Sequence, residues 1–175
     1  MDFIRIHDIR ADKFAKALYK EAFPLRERKP YFLLNRKTVS VDCITDNGNK
    51  CGIMIYIESE EVVFIDFFAI SASVRGGGKG GKALEEFCRA HSGKPVVLEI
   101  ENPYIASDNA EQRVKRKNFY LRHGFSEAGI NIKMKGLNAI LMTYGGEVSY
   151  DRYLRALEKG YGKAFVKFVS PVQIH

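Results

Sequence analysis

Residues 62–90 constrain the chain more than any other stretch. Phe64, Ile65, Phe67, Phe68 and Ile70 form an almost unbroken apolar run, the pattern of a strand buried on both faces. A short connector leads to Arg75-Gly76-Gly77-Gly78-Lys79-Gly80-Gly81, where backbone amides can approach a ligand closely because side chains are missing. Ala83, Leu84, Phe87 and Cys88 then recur at helical spacing, so the glycines lie at a helix N-terminus. Unpaired amides and the positive end of the helix dipole make such a terminus an anion site. Arg75, Lys79 and Lys82 add positive charge, and a phosphate-bearing ligand is the first expectation.

Three phosphate motifs overlap in this loop. Gly76 to Lys82 fits G-x-x-x-x-G-K, but Ala83 follows where a P-loop needs a hydroxyl for magnesium. Gly78 to Ala83 fits the dinucleotide pattern G-x-G-x-x-A, with Glu99 at a tolerable distance for a ribose contact. That pattern places its first glycine directly after the strand, and here Ser71 to Arg75 intervene. The third match is Arg75-x-x-Gly78-x-Gly80, a few residues after a strand and opening a helix. Further on, Asn118-Phe119-Tyr120-Leu121-Arg122-His123-Gly124-Phe125 gives a helix end of the form x-F-Y-x-x-x-G-F. In this order, with a strand between them, the two motifs resemble the coenzyme A loop and the tyrosine helix of the GNAT superfamily of acetyl-CoA-dependent N-acetyltransferases. The resemblance is clearest over residues 62–125.

The rest of the chain reads in agreement. Phe3, Ile4 and Ile6 suggest a first strand, and residues 11–23 an amphipathic helix that Pro24 interrupts. Residues 25–37 read as a second helix weakened by Pro30, and in the GNAT superfamily this early helical region often covers the acceptor pocket. Residues 38–45 and 52–59 are strands joined through Asp46-Asn47-Gly48-Asn49, an Asn-Gly hairpin turn. This antiparallel lead-in disfavours both rival motifs, which belong to parallel βαβ units. Beyond the glycine helix follow a strand over 95–101, a basic helix over 110–123, strands over 125–135 and 138–144, and a helix over 150–157. Residues 160–175 carry few signals. The order fits one α/β (α+β) domain over residues 1–175. The resemblance implies a mixed, mostly antiparallel sheet flanked by helices, with two central parallel strands that splay apart.

The resemblance also assigns roles. Backbone groups of Phe68 and Ile70 would hold the pantetheine arm, and Arg75, Gly76, Gly78, Lys79 and Gly80 the pyrophosphate. Tyr120 would protonate the departing thiolate; a phenol near pKa 10 is a competent donor to a thiol near roughly 8.5. Attack by an amine also needs a base. Glu101, at the end of the strand beside the splayed pair, is the first choice. Glu99 on the same face is the second, Asp66 inside the apolar run the third, and water remains open. Arg113 stands where many relatives carry an asparagine that contacts the cofactor, seven residues before the tyrosine.

A chain of 175 residues with 46% apolar content can bury a substantial core. Its net charge of +7 favours anionic partners, a phosphorylated ligand ahead of nucleic acid. No apolar run is long enough to span a bilayer, the first residues contain no secretory h-region, and no His, Cys or carboxylate cluster suggests a metal. Cys43, Cys51 and Cys88 are odd in number and fit reduced thiols in a cytoplasmic protein. His7, His91, His123 and His175 read as isolated surface residues. The expected activity is acetyl transfer from acetyl-CoA to a primary amine, with a non-catalytic acyl-CoA-sensing module as the alternative. A homodimer is compatible with either.

Overall fold

The computed structural model describes residues 1–174; His175 lies outside the described residues. Among the described residues eight strands form one sheet in the order β1-β2-β3-β4-β5-β7-β6-β8. They are β1 Asp2–Arg5, β2 Ser40–Asp46, β3 Asn49–Glu58, β4 Val63–Ile70, β5 Val96–Glu101, β6 Ser126–Met134, β7 Leu137–Tyr144 and β8 Val172–Ile174. Six α-helices of the described residues flank it: α1 Lys13–Ala22, α2 Tyr31–Leu34, α3 Lys79–Ala90, α4 Ala110–Arg122, α5 Tyr150–Tyr161 and α6 Lys163–Val169. Asn47 and Gly48 adopt φ of 50° and 78°, as the Asn-Gly turn between β2 and β3 requires. Asp12 caps α1, its side chain accepting from the Ala15 amide at 2.9 Å. Residues 25–37 do not form the expected long helix. Pro30 removes a donor and restricts Lys29, so only the turn Tyr31–Leu34 is helical. The weakly patterned C-terminal stretch, in turn, supplies α6 and the edge strand β8.

Every neighbouring pair of strands is antiparallel except β4 and β5. Those two are parallel and share three rungs: Val63–Val96, Phe64–Val97 and Ile65–Leu98. Beyond them β4 continues on β3 and β5 continues on β7. Asp66 marks the divergence. The β3–β4 register steps from Tyr56–Ile65 to Ile55–Phe67, leaving Asp66 as the extra residue of a β-bulge. A bulge bends its strand and increases its twist, which turns β4 away from β5.

Apolar packing fills both faces. On one, Phe64, Phe67 and Val97 meet Tyr19 of α1 and Tyr153, Leu157 and Tyr161 of α5. On the other, Ile65, Ile70, Leu98 and Ile100 meet Leu84, Phe87 and Cys88 of α3 and Tyr120 of α4. Cys43, Cys51 and Cys88 are free and buried. Among the described residues no helix is long and apolar enough to cross a membrane.

Candidate active site

The split between β4 and β5 organises the site. Ser71 donates its backbone N–H to the Cys51 carbonyl at 2.8 Å. In an antiparallel pair the bonded residues alternate, so Phe68 and Ile70 direct their backbone groups away from β3, into the split. Arg75 closes this end, its Nε donating to the Ile70 carbonyl at 2.9 Å.

The glycine loop follows directly. Gly76 and Gly78 have φ of 86° and 72°, a region that penalises any side chain. A Cβ at Gly76, Gly77 or Gly78 would meet nothing within 4 Å, so space lies open in front of the loop. Gly78 caps α3 without a side-chain hydrogen bond, and the first helical bond runs from Lys82 N–H to the Gly78 carbonyl at 3.1 Å. The amides of Lys79, Gly80 and Gly81 are therefore available to an anion. The Lys79 ammonium turns aside to Asp46 at 2.8 Å, so what this residue offers the loop is its amide. Gly81 serves packing: a Cβ there would lie 2.2 Å from His123 Cε1. His123 is thus no isolated surface residue. Its ring packs on Phe119 with centroids 4.7 Å apart and its Nδ1 meets Glu85 at 2.8 Å. His91 likewise stacks on Phe87, 4.2 Å between centroids.

Tyr120 occupies the α4 face toward the split, its ring packed against Phe119 and Phe125. Burial pushes its phenol up to about 12, opposed by the Arg116 charge. It is thus a weaker acid than an ordinary tyrosine, and keeps its proton at any working pH.

The three candidate carboxylates separate clearly. Glu101 is held by α4: Arg113 Nη2 reaches Oε1 at 3.1 Å, and Arg116 Nη1 and Asn109 Nδ2 reach Oε2 at 3.4 and 3.2 Å. The Arg113–Oε1 contact lies within ion-pair distance but misses hydrogen-bond geometry, leaving Oε1 and Arg113 Nε without a hydrogen bond. Arg113 also donates to the Asn102 carbonyl at 3.2 Å, so it fastens α4 to the end of β5. Both oxygens of Glu101 thus face α4 groups and tie that helix to the strand. Glu99 and Asp66 are the first residues past the last β4–β5 rung, one on each strand. Tyr153 Oη donates to Glu99 Oε1 at 2.5 Å. Burial raises the Glu99 carboxyl above its usual range, opposed by the Lys29 charge and the Tyr153 bond, with Asp66 reinforcing the rise. Asp66 pairs with Lys29 Nζ at 2.7 Å and accepts from Tyr161 Oη. Burial, and then the facing carboxylates, hold Tyr153 and Tyr161 well above the ordinary tyrosine value.

Lys29, Tyr153 and Tyr161 are absent from the residues picked out by sequence. Tyr153 and Tyr161 recur at helical spacing, which reads as core, and Lys29 lies between prolines with no pattern of its own. Two surface concavities of about 450 Å³ each, one along β1 and one beside β8, lie away from this chemistry.

No protein-family model matches the chain. A Bacteroides thetaiotaomicron structure described as a "Putative acetyltransferase from GNAT family" superposes with a TM-score of 0.75 at 26% identity, covering 93% of this chain and 99% of its own. The fold is that of the GNAT superfamily. The resemblance carried by the glycine loop and the tyrosine helix is thereby borne out, as is the mixed sheet with one splayed parallel pair. The fold is also similar to that of the aminoglycoside 6'-N-acetyltransferase from Enterococcus faecium, at TM-score 0.57 and 14% identity over 82% of this chain and 96% of that one. Among curated proteins, the Bacillus subtilis protein named "Putative acetyltransferase YjbC" is 30% identical over 112 residues. That match spans 62% of this chain and about half (54%) of the relative.

Proposed function

We propose that the chain is an N-acetyltransferase that moves the acetyl group of acetyl-CoA to a primary amine, of a small molecule in the first instance. One observation carries the reading: a split sheet whose backbone edge, turned away from β3 at Phe68 and Ile70 and closed by Arg75 on the Ile70 carbonyl, runs straight into the unpaired amides of a glycine-opened helix. This is a continuous cradle for an amide-bearing arm ending in a pyrophosphate. The likeness to a structure described as a putative GNAT-family acetyltransferase supports it, and three free, buried thiols suit a reducing compartment such as the cytoplasm.

Acetyl-CoA supplies an activated acyl group. The protein's residues bind, orient and move protons. Phe68 and Ile70 orient the arm, while Gly76, Gly78, Gly80 and the amide of Lys79 bind the pyrophosphate beside the Arg75 charge. We assign the base to Glu99 rather than Glu101, because Glu99 stands at the split with a raised proton affinity and no arginine partner. Glu99 attracts the ammonium form of the acceptor and takes its proton, while Lys29 already neutralises Asp66. Tyr120 gives a proton to the leaving sulfur, late in the step, because its own affinity is high.

Calorimetric titration with acetyl-CoA tests the reading. Saturable binding that the Gly78→Glu/Gly80→Glu variant loses, followed by thiol release with amines from a panel, is the expected result. Binding without turnover on any amine would make the chain an acyl-CoA-sensing module. No binding by folded protein would overturn the reading.

A further inference from the structure

We infer that the chain acetylates itself, and that the acceptor is the Nζ amine of Lys29. The inference rests on the acetyltransferase reading above. Lys29 reaches the split from the connection between α1 and α2. Its Nζ lies 2.7 Å from Asp66 Oδ1 and 4.9 Å from the ring centroids of both Phe67 and Tyr161. Asp66 is the bulged residue just past the last β4–β5 rung, and Glu99 is its counterpart on β5. A primary alkylamine therefore stands at the mouth of the split, between a carboxylate and two aromatic faces, the surroundings that an ammonium acceptor needs.

The placement is built into the backbone. The Lys29 amide donates to Tyr19 Oη at 2.7 Å, and Tyr19 Oη donates back to the Lys29 carbonyl at 3.2 Å. Tyr19 is itself buried, edge-on to Phe67 at 5.1 Å. The Lys29 side chain is 15% exposed, unlike the 79% of Lys115 on α4. Neutralisation of Asp66 accounts for the ion pair. It does not account for an amine fixed where β4 and β5 part, with Glu99 on the facing strand.

The chemistry balances without a further reactant. The Lys29 ammonium loses one proton to solvent by way of Glu99, and its lone pair forms a C–N bond to the thioester carbonyl carbon. The C–S bond breaks with its electron pair on sulfur, which receives a proton from Tyr120. The second nitrogen proton leaves as the amide forms and restores the phenol. Ammonium and thioester become Nε-acetyl-lysine, coenzyme A thiol and one free proton.

The full chain is incubated with acetyl-CoA and its peptides are mapped by mass spectrometry over time, with Lys115 as the internal reporter of uncatalysed acetylation. Lys29 is expected to gain one acetyl group at least about tenfold faster than Lys115, and Tyr120→Phe to slow only Lys29, by about a hundredfold. Lys29→Arg, which keeps a cation beside Asp66, is expected to abolish the fast phase of thiol release without added amine. A surviving fast phase, or Lys29 modified no faster than Lys115 in protein that binds acetyl-CoA, overturns the inference and leaves the acetyltransferase reading intact. Failure to bind acetyl-CoA overturns both.

Discussion

Replacing Tyr120 with phenylalanine is expected to separate stability from turnover. The ring is 9% exposed, and its contacts with Phe119 and Phe125, at 5.2 and 5.5 Å between centroids, survive the change. The hydroxyl has no hydrogen-bond partner among the described residues, and the residue keeps only that slight exposure to solvent. Removing an unpaired hydroxyl from a dry site gains about 1–3 kcal/mol; with partial hydration the gain here is zero to about 1 kcal/mol. At this chain length that is a melting temperature unchanged or raised by at most about 2–4 °C. Turnover loses its proton donor and falls by about 10²–10⁴-fold, or roughly 3–5 kcal/mol in the barrier. Because burial pushes the phenol up to about 12 in the folded chain, any alkaline decline of the wild-type rate from this group is expected above the ordinary tyrosine range. Differential scanning calorimetry and a thiol-release assay on the best amine of the panel measure the two quantities. A variant several degrees less stable, with turnover within about twofold of wild type, would make Tyr120 a core residue and refute the reasoning.

Four further changes probe the site and the packing that supports it. Glu99→Gln is expected to lower kcat/KM by about 10²–10⁴-fold and to abolish the acid limb of its pH profile. In the wild type that limb lies above the usual Glu range, because burial favours the protonated form, and Tyr153→Phe moves it higher by removing a bond that stabilises the charge. Gly81→Ala forces a Cβ into the His123 ring and is expected to weaken acetyl-CoA binding in calorimetry; Gly81→Ala/His123→Ala recovers it, since the ring is what collides. Gly160→Ala places a Cβ 2.1 Å from Ile57 Cδ1, under buried α5. It costs a net ~1–2 kcal/mol after the helix-propensity gain, read as a lower melting temperature with acetyl-CoA affinity unchanged.

The parts of the site that use backbone were legible in the sequence. Gly76, Gly78 and Gly80 announce a loop without side chains, the apolar run before them announces a buried strand, and Gly124 closes α4 with φ of 83° after Tyr120. The parts that use side chains across long separations were not. Glu99 and Glu101 alternate onto the same face of β5, so periodicity cannot rank them. What ranks them is Arg113 and Arg116 from α4 on one and Tyr153 from α5 on the other. Lys29 was hidden for the same reason, since its partner Asp66 is 37 residues away and is exposed to it only by a bulge. The long helix expected over residues 25–37 failed on one local competition, Pro30 against the apolar cluster Tyr31–Leu34.

The three-rung seam between β4 and β5 has a consequence for persistence. Two four-stranded halves meet through Val63–Val96, Phe64–Val97 and Ile65–Leu98 alone, a three-rung junction in the middle of the sheet. A ligand whose amides pair with Phe68 and Ile70 lengthens that junction, and so acts as a piece of sheet as well as a reactant. At about a hundredfold excess over its dissociation constant such a ligand adds about 2.7 kcal/mol to the folded state. With acetyl-CoA as that ligand, as proposed above, resistance of the chain to proteolysis is expected to rise with acetyl-CoA concentration, which makes a protease a reporter of the split.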